Sequence, residues 1–237
     1  MHIAAVDHMA NNGDSFLHHA LPFTKVIMSF LFLAALIFSN QIHKAVFLLV
    51  IPVAFILLSG VNAREIFHLA LYSIVFSLLF ALIQLQQSWT AAVMVMIKAL
   101  GAALNMLLLI ATTPYTDIFA VFSHVLPGVI IDLFIFTYRS LFILIDKLED
   151  MVKSVRLRGG LHPMRLLFNL KNAAGALGVM TIHAFDMSER LYRIYSLRGY
   201  NGKIPITREW GPLRWVDILL LLFSLIVLTG VLIPWKI

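Results

Sequence analysis

The stretch LFILIDKLEDMVKSVRLRGG, residues 141–160, decides the architecture. Leu141, Ile145, Leu148, Val152 and Val155 recur at alternating spacings of four and three, so a helix drawn through them gathers a single apolar seam. Asp146, Lys147, Glu149, Asp150, Lys153 and Arg156 fall on the other faces. The pattern predicts a long amphipathic helix with one stripe packed and the rest wet. It ends on Arg156, Leu157, Arg158 and Gly159, where glycine supplies the left-handed residue that stops a helix.

The ending is used twice. Leu166, Leu170, Ala173, Leu177, Met180, Ala184, Met187, Leu191 and Ile194 keep the same spacing through a second long run, which closes on Leu197, Arg198 and Gly199. Ala174, Gly175, Ala176 and Gly178 leave room on this run for another helix to approach. Pro114, Pro127 and Pro163 follow plausible breaks and suit first-turn positions, dividing Thr113 to Tyr200 into three helical pieces. Read blandly, Arg158 and Arg198 only answer the negative end of their helix dipoles. Read sharply, each arginine at a helix tip presents a planar five-donor fork that a partner's carboxylates and carbonyls can grip. Two such tips would then suit two copies of one partner.

Outside this region the chain is apolar. It is 61% hydrophobic and 13% charged with mean hydropathy +0.92, too much apolar surface for one water-soluble core of 237 residues. Five membrane spans are expected: Thr24 to Phe38, Ala45 to Ser59, Phe67 to Leu85, Ala91 to Ala111 and Val216 to Pro234, the first two short enough to require tilt or thinning. Trp210, Trp215 and Trp235 frame the last as an interfacial belt. The first is read as retained rather than as a signal peptide, because Asp7 and Asp14 precede it and no small-x-small site follows Phe38. The expected fold is therefore an all-α integral membrane protein with about five transmembrane helices and a set of long amphipathic coupling helices. Its parts are a leader and four spans over 1–112, the coupling region over 113–208, and a last span over 209–237.

Most of the 18 basic residues lie between Arg139 and Arg214, and the connection QLQQSWT, Gln84 to Thr90, has none. By the positive-inside rule the coupling region faces the cytoplasm, with the N-terminus inside and the C-terminus outside. Lys44 then falls on the outer side, against the trend.

Several functions find little in the sequence. There are no cysteines and so no thiolate metal site. No G-x-x-x-x-G-K-[ST] loop is present to hold a nucleotide, so an ATPase would have to be a partner. A self-contained ion carrier or channel is the main alternative; its candidate intramembrane groups are Lys98, about two turns into the fourth span, and Asp132 and Arg139, seven apart on one helix. An enzyme would have to use the leader, where His2, Asp7, His8, His18 and His19 match no defined metal-ligand spacing. Nucleic-acid binding is not expected, since basic residues alternate with acids and apolar seams.

Three blocks carry a family resemblance: SFLHHALPFTKVI (15–27), TYRSLFILIDKLEDMVKSVRLRGG (137–160) and SERLYRIYSLRGYNGKI (188–204). In these, and in the order of spans and long helices, the chain resembles the transmembrane T component of energy-coupling-factor (ECF) transporters of the cobalt/nickel, CbiQ-like type. Members similarly carry a Leu-His near Pro-x-Thr-Lys, a Tyr-Arg along a long helix, and two arginine-glycine endings, the second followed by an aromatic and a glycine, as in Tyr200 and Gly202. The resemblance implies a non-catalytic subunit of the bacterial or archaeal cytoplasmic membrane, without cofactor or metal site. Arg156, Leu157, Arg158, Gly159, Leu197, Arg198 and Gly199 would dock on two ATP-binding subunits. A small membrane subunit would capture the metal. The family's usual alanine before each arginine is here Leu157 and Leu197.

Overall fold

The structure is a computed structural model that describes residues 9–233 apart from 12, 87, 163, 201–210 and 212. His2, Asp7, His8, Pro163, Gly202, Trp210 and Trp235 lie outside the described residues. Every regular element among those described is a helix: α1 Phe16–His19, α2 Pro22–Phe38, α3 Ile42–Leu58, α4 Ala63–Gln84, α5 Trp89–Thr112, α6 Tyr115–Phe122, α7 Gly128–Leu157, α8 Leu166–Leu197 and α9 Trp215–Leu232.

Four helices, α4, α5, α7 and α9, are long and apolar enough to cross a membrane; α2 and α3 are apolar but shorter, at 17 residues each. The sequence reading placed spans on α2, α3, α4, α5 and α9. Its proline breaks and apolar seam put α7 in the coupling region; the first half of α7 carries only Asp132 and Arg139 and is as apolar as a span. Pro127 takes the N-cap of α7 rather than its first turn, whereas Pro22 stands in the first turn of α2.

By contacts the described chain forms two units, residues 1–121 with 208–237, and residues 122–207. In the first, α5 packs against α2, α3 and α4, and α9 against α2. The contacts use small residues: Ala35, Ala45 and Ala111 are fully buried, and a Cβ at Gly101 would already touch both Leu36 methyls at 3.4 Å. Lipid is as apolar as leucine, so burial of side chains alone does not drive helices together there; close backbone approach and satisfied polar groups do.

Several charged groups of this unit are used at helix ends, while Asn105 and Ser29 pair in mid-helix at 2.8 Å. Lys25 Nζ donates to Thr112 O at 2.8 Å, closing the end of α5. Lys44 Nζ donates to Val231 O and Ile233 O, each at 2.7 Å, closing α9. Lys98 Nζ donates to Ile37 O at 3.1 Å, at the end of α2. Each ammonium thus meets carbonyls that have no intrahelical partner and the negative pole of a dipole. Asp217 does the converse: fully buried, it accepts from Leu21 N (2.8 Å) and Thr24 Oγ1 (3.1 Å) at the start of α2, and from Arg214 N (2.9 Å) at the start of α9. Together Lys25 and Asp217 gather the start of α2, the end of α5 and the start of α9 at one end of the unit. The end of α5 and the start of α9 therefore lie on the same side of this unit. Lys44, which ran against the charge trend, stands at the opposite end as the cap of α9.

Candidate functional site: the two helix ends

The second unit is built on α7 and α8, and its two Leu-Arg-Gly endings adopt one backbone geometry. At the end of α7, Gly160 N donates to Val155 O at 2.8 Å and Gly159 N to Arg156 O at 3.1 Å. At the end of α8, Tyr200 N donates to Tyr195 O at 3.0 Å and Gly199 N to Ser196 O at 3.1 Å. Both are the paired bonds of a Schellman ending, with glycine in the left-handed region at φ 71° for Gly159 and 78° for Gly199. Arg158 and Arg198 hold the C-cap at φ −84°, ψ 7° and φ −86°, ψ 7°.

The backbone alone therefore satisfies the last carbonyls. Neither the Arg158 nor the Arg198 guanidinium makes a hydrogen bond or ion pair among the described residues. Arg193 pairs with Glu189 at 3.3 Å, and Arg139 donates to the Tyr195 hydroxyl at 3.1 Å. Beside each C-cap arginine stands a leucine turned outward, Leu157 at 88% and Leu197 at 89% exposure. An exposed leucine next to an uncommitted guanidinium, repeated with the same geometry, is a surface suited to a partner that offers an apolar recess and acceptors. Nothing lies within 4 Å of where a Cβ would stand on Gly159 or Gly199, so glycine serves backbone conformation there and not close packing. Gly199→Ala is expected to speed hydrogen exchange of the Tyr200 amide roughly tenfold, since a left-handed alanine costs about 1–2 kcal/mol, and Gly199→Asn less. Equal exchange in all three chains would contradict the strain argument.

The helices are antiparallel neighbours. Between them runs a groove of about 670 Å³, which Leu141, Ile145 and Leu148 of α7 and Met180, Met187 and Leu191 of α8 help to line. On α8 the half-buried stripe passes through Ala176, Met180, Ala184, Met187, Leu191 and Tyr195. Leu177, at 61% exposure, and Ile194 stand one position away from it. Val152 of the α7 seam is exposed and Val155 half-buried. Nothing among the described residues lies within 4 Å of the Cβ positions of Gly175 or Gly178, so these two glycines do not serve a close helix approach.

Each end of one helix is tied to the beginning of the other. Asn172 Nδ2 donates to Gly160 O at 2.7 Å, while Asn169 exchanges bonds of 2.7 and 2.6 Å with the backbone of His162. At the opposite end the Tyr200 hydroxyl donates to Asp132 at 2.9 Å, and that bond holds the phenol above its ordinary pKa. The sequence reading named Tyr200 only as a family feature and Asp132 only as a carrier candidate; no spacing rule links residues 68 apart.

The carrier candidates are engaged in structure. Lys98 closes α2, Asp132 is 3% exposed and bonded to Tyr200, and Arg139 bonds Tyr195. In the leader, His19 Nε2 lies 2.6 Å from Asp14, and His18 Nδ1 lies 2.7 Å from the Ser15 hydroxyl. Burial, then the charge of Lys25, holds His18 below its usual pKa. Among the described residues no group of three or more His, Cys, Asp or Glu side chains could hold a metal ion.

Apolar helices of spanning length, capped internally by lysines and an aspartate, define a multi-pass membrane protein. The chain belongs to the CbiQ cobalt transport protein family, which it matches over residues 13–209. Among curated proteins it is similar to two from Methanocaldococcus jannaschii: the uncharacterized protein MJ1089, 31% identical over 114 residues, covering 46% of this chain and 40% of that protein, and the uncharacterized protein MJ1571, 34% identical over 102 residues, covering 43% and 34%. The matched stretch spans less than half the length of either relative.

Proposed function

We propose that the chain is the energy-coupling T subunit of an ECF-type importer for cobalt or nickel ions. In this reading Arg158 and Arg198 dock on two copies of an ATP-hydrolysing subunit at the cytoplasmic face of the cytoplasmic membrane. ATP-driven closure of the pair displaces the two tips, and α7 and α8 carry that displacement to a small metal-binding membrane subunit. The observation that carries the reading is the repetition of one Schellman ending with the same exposed leucine and uncommitted arginine, which suits two copies of one partner. The concentration of basic residues between Arg139 and Arg214 supports the cytoplasmic placement.

The competing reading, a self-contained carrier, is weakened by the engagement of Lys25, Lys44 and Lys98 with helix ends. A carrier concentrates polar groups around a midplane path. The chain reconstituted by itself into liposomes is therefore expected neither to hydrolyse ATP nor to take up cobalt or nickel, and to do both once the co-purified partners are added. Uptake by the chain alone would reverse the choice.

A further inference from the structure

The second arginine tip is not held by its own helix alone. Just past Arg198, Tyr200 reaches across to the first half of α7: its hydroxyl donates to Asp132 Oδ2 at 2.9 Å. Its ring meets Phe136 edge-on at 5.7 Å between centroids, and Phe136 meets Tyr195 at 4.6 Å. Arg139 adds a bond to the Tyr195 hydroxyl at 3.1 Å. Asp132 is 3% exposed, so its carboxylate cannot rely on water for its acceptor sites. T-shaped aromatic pairs fix ring orientation as well as position. At the far end Asn172 holds Gly160, just past Arg158, against the start of α8. Both tips are thus pinned to the partner helix. Because Tyr200 is anchored at Asp132 and Gly160 closes the same helix, α7 itself is the ruler between them, about 40 Å at 1.5 Å per residue.

We propose that Tyr200 and Asp132 are positioning residues: their clasp, seated on Phe136, sets where the Arg198 tip stands relative to the Arg158 tip and passes a push on Arg198 into the first half of α7. This rests on the docking role given above to the two arginines and adds to it the element that fixes their spacing. Without the clasp, the Arg198 end keeps the ring contacts and the exposed Arg139 bond but loses its hold on a buried acceptor of α7, and it can swing with less effect on α7.

The chain has no cysteine, so paired spin labels can be placed at Lys153→Cys and Arg193→Cys, two exposed positions near the tips, and their separation measured in the full chain in nanodiscs. Tyr200→Phe keeps the ring and removes the donor. It is expected to lower the population at the clasped distance about tenfold, the loss of one hydrogen bond to a charged acceptor, and to broaden the distribution. Asp132→Ala should do the same, whereas Asp132→Asn keeps an acceptor and should restore the wild-type distribution. In the assembled complex, Tyr200→Phe is expected to lower metal uptake per ATP hydrolysed while both ATPase copies stay bound. An unchanged distance distribution in Tyr200→Phe overturns the clasp, whatever the ATPases do. A shifted distribution with uptake per ATP at the wild-type level overturns its positioning role. Failure of Asp132→Asn to restore the distance would assign the effect to general loss of packing and overturn it too. Retention of both ATPases by a chain carrying Arg158→Glu and Arg198→Glu would instead remove the docking reading, and is told apart because it leaves the distances as they were.

Discussion

If the proposed docking holds, a chain carrying Arg158→Glu together with Arg198→Glu is expected to insert and fold, and to co-purify with neither copy of the proposed ATP-hydrolysing subunit. The expectation follows from the separation of two roles that one arginine could play. A cation that only answers a helix dipole at an exposed end contributes about 0.3–1 kcal/mol, and its loss would be felt locally. At both ends, however, the carbonyls are already met by Gly159, Gly160, Gly199 and Tyr200 amides, which leaves the guanidinium little capping to do. An arginine buried in a partner's groove is a different matter: reversing its charge leaves the partner's acceptors unpaired and adds repulsion, roughly 2–5 kcal/mol or more in association. At about 1.4 kcal/mol per tenfold in affinity, each reversal should weaken its own socket by well over tenfold. Each single variant should lose one copy and keep the other. The measurement is pull-down of ATPase subunits by membrane-inserted variants, with metal uptake in parallel. Recovery of both copies by the double variant would leave only the dipole role.

What the sequence made legible was what local rules govern. The Leu-Arg-Gly triplets announced helix ends because a left-handed residue after a helix is nearly confined to glycine, and Gly159 and Gly199 hold that conformation. The 4-3 spacing placed Leu141, Ile145, Leu148, Met180, Met187 and Leu191 along one groove. It drifted by one residue at Leu177 and Ile194, since a straight helix of 3.6 residues per turn does not hold a strict heptad over many turns. Pairings between distant residues stayed hidden. Lys98 read as an intramembrane charge and is the cap of α2; Lys44 read as an orientation anomaly and is the cap of α9. Nothing in the spacing of a lone lysine says which helix end it will meet. Tyr200 and Asp132 are of the same kind: residue type gave a donor and an acceptor, and only the antiparallel packing of α7 and α8 brought them together. The amphipathic seam describes the second half of α7, whereas its first half is apolar enough to cross a membrane by length and composition.

Asp217→Ala is expected to be the most destabilising single change in the unit formed by α2 to α5 and α9. The residue is fully buried, and its two oxygens accept three bonds, from Leu21 N, Thr24 Oγ1 and Arg214 N. Two of these donors are amides at helix starts, which have no partner inside their own helices. The Thr24 bond is buried and the two amide bonds are part-buried; a buried donor left unmet costs about 1–3 kcal/mol, so the sum is on the order of 3–5 kcal/mol after local relaxation. In a soluble core some of that loss would be recovered by collapse of apolar neighbours, but here lipid offers no such drive. Asp217→Asn should cost less, because one oxygen can still serve Leu21 and Thr24 while its amide nitrogen faces the Arg214 N–H without an acceptor. Detergent-titrated unfolding of the three chains should therefore rank wild type above Asn above Ala. The same order should appear in protection of the Leu21 amide from hydrogen exchange. If Asp217→Ala unfolds with wild type, the ends of α2 and α9 are being met by water at that end of the unit, and α9 owes its place to packing on α2 and to its contacts with α3, the Lys44 cap among them.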